Sequence, residues 1–300
     1  MIHLFFLIQR LNMQTISKIK NISSFGIIRT FIVLFAIILT PELSSAEEFT
    51  CDGIKYTPIA DKAEVMVSGY EKGLSGDLII PETVSYNNTE YTVTQIGKSA
   101  MSHCSGLTSI SFPNSLKVIS NYAIEFCESL KQLVLPNSLV EIGDFAFYVC
   151  KDLTSIIIPG SVVTIGINPF LCCFSLQSID VAEDNPEYMS IDGVLYNSAV
   201  TTLISAPCAK KTVDIPESVT TIGTKAFYNS NIDTLVLPES VTTIEESAFA
   251  ASYLDSIKFS NNLTTMGSAA FMNCYSLDNV FLPNSLTTVP DYAFASCYSM

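Results

Sequence analysis

Apolar and polar positions recur along most of the chain in a fixed order, with a period far longer than that of a helix or a strand. From Leu107 the sequence reads LTSISFPNSLKVISNYAIEFCES, LKQLVLPNSLVEIGDFAFYVCKD and LTSIIIPGSVVTIGINPFLCCFS, each 23 residues long. After an interruption come KKTVDIPESVTTIGTKAFYNSN and IDTLVLPESVTTIEESAFAASY at 22, then LDSIKFSNNLTTMGSAAFMNCYS and LDNVFLPNSLTTVPDYAFASCYS at 23. The shared pattern is LxxIx[LIF]PxS[VL]xxIGxxAFxxCxx. A first copy at 75–106 fits if the nine residues 84–92 (VSYNNTEYT) are an insertion after Pro81, and the copy at 176–209 departs after Val181 and contains DNPEYMSIDGVLY. Self-similarity at this period predicts a solenoid, because one unit is too small to enclose its own apolar face and neighbours must stack to bury it.

Each column predicts an element. The fourth and sixth positions (Ile110 and Phe112, Leu133 and Leu135, Leu235 and Leu237) alternate at period two, so they belong to a strand with one buried face. Pro113, Pro136, Pro159, Pro216, Pro238 and Pro283 remove a backbone donor and end that strand. The following [VL]xxI, such as Val219 and Ile222, predicts a second short extended piece. Gly97, Gly143, Gly166, Gly223 and Gly267 predict a turn with positive φ. AFxxC is too short for an independent helix and predicts one helical or 3-10 turn. Phe147, Phe170, Phe227, Phe249, Phe271 and Phe294 predict an internal stack, each side chain contributing about 1.5–3 kcal/mol when buried. The expected fold is therefore a leucine-rich-repeat solenoid, mainly parallel β with short helical or 3-10 turns.

This recurring unit resembles that of the BspA-like leucine-rich repeat proteins, over about residues 75–300. The resemblance implies an exported or cell-surface protein linked to adhesion and host contact, and the DNPEYMSIDGVLY interruption is similar to one seen in that family. Residues 47–74 are expected to cap the first coil, with Asp52-Gly53 as a hairpin turn that Asp192-Gly193 repeats in the interrupted copy. Cys297-Tyr298-Ser299-Met300 aligns with Cys274-Tyr275-Ser276-Leu277, so the array is expected to continue past residue 300. Residues 1–46 read as an export signal: Lys18, Lys20 and Arg29 precede the apolar run Phe31 to Leu39, and Ser44-Ser45-Ala46 forms a small-residue cleavage site. Met13 offers a second start, no Cys follows Ala46 to carry a lipid, and the apolar run is far shorter than the roughly 20 residues of a spanning helix.

Charge narrows the range of partners. Residues 47–300 hold 11 Lys, no Arg and one His (His103) against 28 Asp and Glu, a net of −17. This excludes a nucleic-acid binder, which needs clustered Lys and Arg against phosphates, and removes the guanidinium fork that clamps phosphate or carboxylate. Trp is absent, although 13 Tyr are available for stacking on sugars.

Candidate chemistry mostly dissolves into the repeat. Cys104, Cys127, Cys150, Cys173, Cys274 and Cys297 share one column that Ser230 and Ser252 also fill, which marks a small-residue packing site with weak hydrogen bonding to the turn. Cys51, Cys172 and Cys208 fall outside it and are the better disulfide candidates. The whole-repeat spacing of the Cys and the single His give no metal-ligand set, and no cofactor is implied. Gly97-Lys98-Ser99 ends like a phosphate-binding loop, but Thr92 stands where that motif needs Gly. Asp180, Glu183, Asp184, Glu187 and Asp192 lack the alternating spacing of a calcium loop. His103 beside Cys104 lacks the geometry of a nucleophile and its base.

The outward position between the two buried strand positions carries Ile79, Ser111, Val134, Ile157, Asp180, Asp214, Val236, Lys258 and Phe281. Unlike the buried columns it varies from coil to coil. Two readings stand: a binding stripe on an extended sheet, or residues merely tolerated on a solvated strand. The first makes the chain a secreted or cell-surface, non-enzymatic binding module for a host or matrix protein. The second leaves room for a repeat arm serving an enzyme domain beyond residue 300. Tyr228, Tyr253, Tyr275 and Tyr298 near the repeat ends keep a glycan ligand open.

Overall fold

The computed structural model describes residues 47–300. The expected export signal at 1–46 lies outside the described residues. The chain winds as a parallel β-solenoid with two rows of short strands and a row of turns. The first row contains Ser75–Ile79, Gly106–Ser111 and Gln132–Leu133 in one sheet, then Ser155–Ile158 beside Ser178–Val181, then Thr234–Val236 beside Ser256–Lys258. Pairing is in repeat register, with Ile156 opposite Ile179 and Leu235 opposite Ile257. The second row runs through Thr89–Ile96, Val118–Ile119, Glu141–Ile142 and Thr164–Ile165, and resumes after the interruption at Thr202–Ser205, Thr221–Ile222, Thr243–Ile244 and Thr265–Met266. In both rows alternate apolar side chains turn inward.

Antiparallel strands at the start precede these rows. Phe49–Cys51 and Ile54–Pro58 form a hairpin around Asp52 and Gly53, both at positive φ, and Glu64–Tyr70 then pairs parallel with Thr89–Ile96. The insertion in the first copy becomes a hairpin arm: Thr83–Tyr86 folds back on Thr89–Ile96 through Asn87 and Asn88, whose φ of 50° and 63° suit a tight two-residue turn.

The turn row differs from the sequence expectation. The AFxxC segments are consecutive turns, not helical or 3-10 turns, and no helix occurs among the described residues. The residue before Ala and the residue before Cys both take positive φ, as at Tyr122 and Phe126, Phe145 and Val149, and Ser247 and Ala251. A left-handed residue every fourth position stops helix propagation and aims alternate amides at the next coil. Phe145, Phe147 and Val149 thus donate to the carbonyls of Ile167, Pro169 and Leu171 at 3.1, 2.8 and 3.0 Å.

The repeat glycines also have another role than the one expected, for none of the five has positive φ. They are needed because the coils approach closely. A Cβ on Gly143, Gly166 or Gly267 would overlap the backbone nitrogen of Asn121, Asp144 or Glu246, and one on Gly223 would sit 2.8 Å from the Leu203 carbonyl oxygen.

The phenylalanine column forms as the repeat predicts. Phe227, Phe249, Phe271 and Phe294 stack with centroids 4.8–5.2 Å apart, and Phe147 stacks on Phe170 at 5.4 Å. The interruption divides the core in two: one apolar cluster runs from Phe49 to Ile179 and includes Leu195, and the other from Val194 to Ala293. Across that seam Asn168 is buried, its amide donating to the Lys225 carbonyl at 2.7 Å and accepting from Ser205 Oγ at 3.0 Å.

Candidate binding face

The outward stripe of the first strand row exposes large apolar side chains that alternate with buried ones. Val134 is 81% exposed between buried Leu133 and Leu135, and Ile157 is 62% exposed between buried Ile156 and Ile158. Phe281, at 83%, is still more open, though it lies outside any strand between half-buried Val280 and exposed Leu282. Strand pairing sets Ile79 opposite Ser111, Ile157 opposite Asp180, and Val236 opposite Lys258.

The interruption divides this stripe as well. Strand Tyr188–Ile191 and its antiparallel partner Val194–Asn197 meet at a turn against strand 178–181, where Ile179 donates to the Gly193 carbonyl at 2.8 Å and Val181 to Ser190 Oγ at 3.0 Å. Asp180 is half-buried there and accepts a hydrogen bond from Ser178 Oγ at 2.9 Å. Asp214 is exposed beyond this hairpin, outside any strand. The stripe is therefore two surfaces: Ile79, Ser111, Val134 and Ile157 before the seam, and Val236, Lys258 and Phe281 after it.

The cysteine column is a hydrogen-bonding device. The thiols of Cys127, Cys150, Cys173, Cys274 and Cys297 donate to carbonyls of the preceding coil at Met101, Ile124, Phe147, Phe249 and Phe271, at 3.0–3.3 Å. All nine Cys are free. The column also has a member the sequence alignment placed outside it. Asn231 donates to the Cys208 carbonyl as Tyr253 donates to that of Ser230, which registers Cys208 with the column; a shortened turn in the interrupted copy hides it from the repeat spacing. Cys172 instead accepts a hydrogen bond from the Asn229 amide at 3.0 Å. Burial pushes the thiols of Cys274 and Cys208 up to about 11 and about 12, where they stay protonated and poorly nucleophilic at neutral pH.

The remaining motifs are spoken for individually. The amides of Gly97 and Ser99 donate to Val67 and Asn121 of adjacent coils, so neither is free to hold a phosphate. His103 stacks on Phe126 at 4.4 Å while the Cys104 thiol turns toward the Ser102 carbonyl, so the two do not pair. In the acidic stretch Asp192 pairs with Lys210 at 2.8 Å. Among the described residues no group of three or more His, Cys, Asp or Glu is placed to share a metal ion, and no helix is long and apolar enough to cross a membrane.

One feature went unread in the sequence. Asp233, Asp255 and Asp278 occupy the same position of successive coils, linked by Asp255 and Asp278 amides donating to the preceding Asp carbonyl at 2.8 and 3.0 Å. The signal was the recurrent Asp after the first strand residue, at ID, LD and LD.

The fold and the repeat define the class. The model of the BspA type leucine rich repeat region matches residues 82–192 and 206–300 in six copies. The chain belongs to this family. No curated protein matches it. Among solved structures it is similar to a leucine-rich repeat protein from Eubacterium ventriosum, at 24% identity and a TM-score of 0.61, covering 85% of this chain and 77% of that one. It is likewise similar to a leucine rich cell surface protein from Faecalibacterium prausnitzii, at 24% identity and a TM-score of 0.55, with 86% and 88% covered. The pneumococcal vaccine antigen PcpA matches at 22% identity and a TM-score of 0.54, over 82% and 84%. These likenesses concern the fold.

Proposed function

We propose that the chain is an exported, non-enzymatic module that binds a protein partner, a host or matrix protein, through the outward stripe of its first strand row. The observation that carries the reading is the set of large apolar side chains held in solvent at Ile79, Ile157 and Val236 on strands, at Val134 one residue past the end of its strand, and at Phe281 in an irregular segment. A strand whose inward residues are packed at both sides of an exposed Val or Ile gains nothing for folding from that residue, whereas a binding surface gains an anchor. Lys258 would add polar selectivity on the later surface, and Asp180, half-buried at the seam, and Asp214, exposed beyond it, would lie between the two surfaces. The basic and apolar segments within residues 1–46 and the surface location named for the Faecalibacterium protein support a secreted or cell-surface place. Residues 47–74 serve in this reading as the cap of the first coil, whose edge would otherwise lie open. The test is a binding screen against immobilised extracellular proteins with the wild-type chain and Val134→Asp/Ile157→Asp. Loss of the bound signal at an unchanged melting temperature supports the stripe, and equal binding by both rejects it.

A further inference from the structure

The coils after the interruption carry a second, differently built surface. Tyr253, Tyr275 and Tyr298 follow the cysteine column of successive coils, all three exposed, and Tyr275 and Tyr298 stack at 5.7 Å with their planes 16° apart. Asp233, Asp255 and Asp278 run beside them. In the coil of Tyr253 the aromatic ring and the carboxylate flank buried Leu254, so both point outward from one backbone segment. Two parallel rails result, one aromatic and one anionic.

Little neutralises the anionic rail. Residues 231–300 carry seven carboxylates and a single lysine, Lys258. Among the described residues Asp255 and Asp278 make no ion pair, and Asp233 meets only Lys211, at 3.8 Å. Carboxylates repeated from coil to coil repel one another, and the hydrogen bond that Asp278 accepts from the Asn279 amide at 2.8 Å leaves its charge unneutralised. Exposed tyrosine faces and unpaired carboxylates attract the same chemistry, an ammonium or guanidinium group, through the ring quadrupole and through charge.

We propose that this double rail binds a lysine- and arginine-rich, extended segment of a partner protein. The proposal rests on the reading that the solenoid is a protein-binding module and adds the chemistry of the partner. Three coils give a rail of about 10 Å, which suits a stretch of polypeptide better than one small cation. A second copy of this chain would bring a net charge of −14 against the same sign, and nucleic acids or anionic lipids would be repelled likewise.

The experiment is fluorescence anisotropy of a labelled lysine decamer titrated with the full chain, with a glutamate decamer and a glycine–serine decamer as controls. The lysine probe alone should bind, and its affinity should fall as salt rises from about 50 to about 200 mM. Asp255→Asn/Asp278→Asn should weaken it roughly tenfold, and Tyr275→Ala/Tyr298→Ala roughly fivefold. Lys258→Gln, which removes the competing cation, should tighten it. Asp61→Asn/Glu71→Gln makes the same change in net charge at the other end of the chain and should leave it within about twofold. Equal weakening by the two charge pairs would show diffuse attraction and overturn the site. So would binding of a neutral glycan or self-association without binding of the lysine probe. Val134→Asp/Ile157→Asp lies on other coils and should leave probe binding intact, so failure of the rail and failure of the apolar stripe register separately.

Discussion

The coils before and after the interruption share one backbone plan and differ in almost everything they show to solvent. Both halves stack phenylalanines about 5 Å apart and join turns by the same alternate amide ladder. Before the seam, Cys127, Cys150 and Cys173 each donate a hydrogen bond to a carbonyl of the preceding coil. After it Ser230 sits in the same column with its buried hydroxyl unpartnered. On the second strand row, Val140 and Val163 give way to Thr220, Thr242 and Thr264, whose hydroxyls donate to carbonyls of the preceding coil. On the first row Ile79, Val134 and Ile157 give way to Val236, Lys258 and Phe281, and the segments ahead of those residues add the acidic and aromatic rails. The repeat fixes which positions must fill the core and leaves the outward positions free to diverge, so function is to be sought where the halves disagree.

Because most of the core falls into two large apolar clusters, with a small third one where Tyr228 packs near Val149, Leu171 and Cys172, damage should stay mainly within its half. Phe249→Ala removes the middle of the later phenylalanine stack and should cost about 3–5 kcal/mol. Native-state hydrogen exchange should then show amides of residues 219–277 losing protection well ahead of those of 118–165. Equal loss in both would show a single cooperative unit. The glycine column gives the next largest effect. Gly166→Ala places a methyl group against the Asp144 backbone and should cost about 1–3 kcal/mol in urea unfolding. A neutral result would mean that the coils can move apart.

Smaller effects separate the two kinds of column residue. Cys150→Ala deletes a buried donor that satisfies the Ile124 carbonyl and should cost about 1 kcal/mol. Ser230→Ala deletes an unpartnered hydroxyl and should be neutral or stabilising in the same assay. The thiols supply a pH dependence. With folded values raised from 9.0 to about 11 at Cys274 and about 12 at Cys208, their contribution is fully present below pH 9 and is lost as pH rises through 11 to 12. Below that range a thiol reagent should label partly exposed Cys51 and Cys297 first, and the seven buried Cys only on unfolding.

Much of this was legible in the sequence because a repeated residue type reports a repeated environment. The Phe column, the strand ends ahead of Pro113, Pro136, Pro159 and Pro238, and the exposure of Val134 and Ile157 follow from period and alternation, whereas no strand forms ahead of Pro216 or Pro283. What escaped reading depends on contacts between coils. The positive φ at Tyr122 and Phe126 is imposed by the amide ladder to the next coil, and neither residue type announces it. The glycines were assigned to turns because their usual virtue is backbone freedom, when here they admit a neighbouring backbone. Cys208 lost its place in the column to a shortened loop. The Asp rail passed unread because one exposed Asp per coil looks like ordinary solvation until three are set side by side.

The central claim is that the outward strand stripe, and not the core it covers, is what this protein uses. The most direct measurement is equilibrium binding, by the wild-type chain and by Val134→Asp/Ile157→Asp, of whichever extracellular protein the screen identifies, with thermal unfolding of both. The account predicts at least a tenfold loss of affinity, about 1.4 kcal/mol or more, with melting temperatures within a few degrees of each other. Undiminished binding by the variant would contradict it.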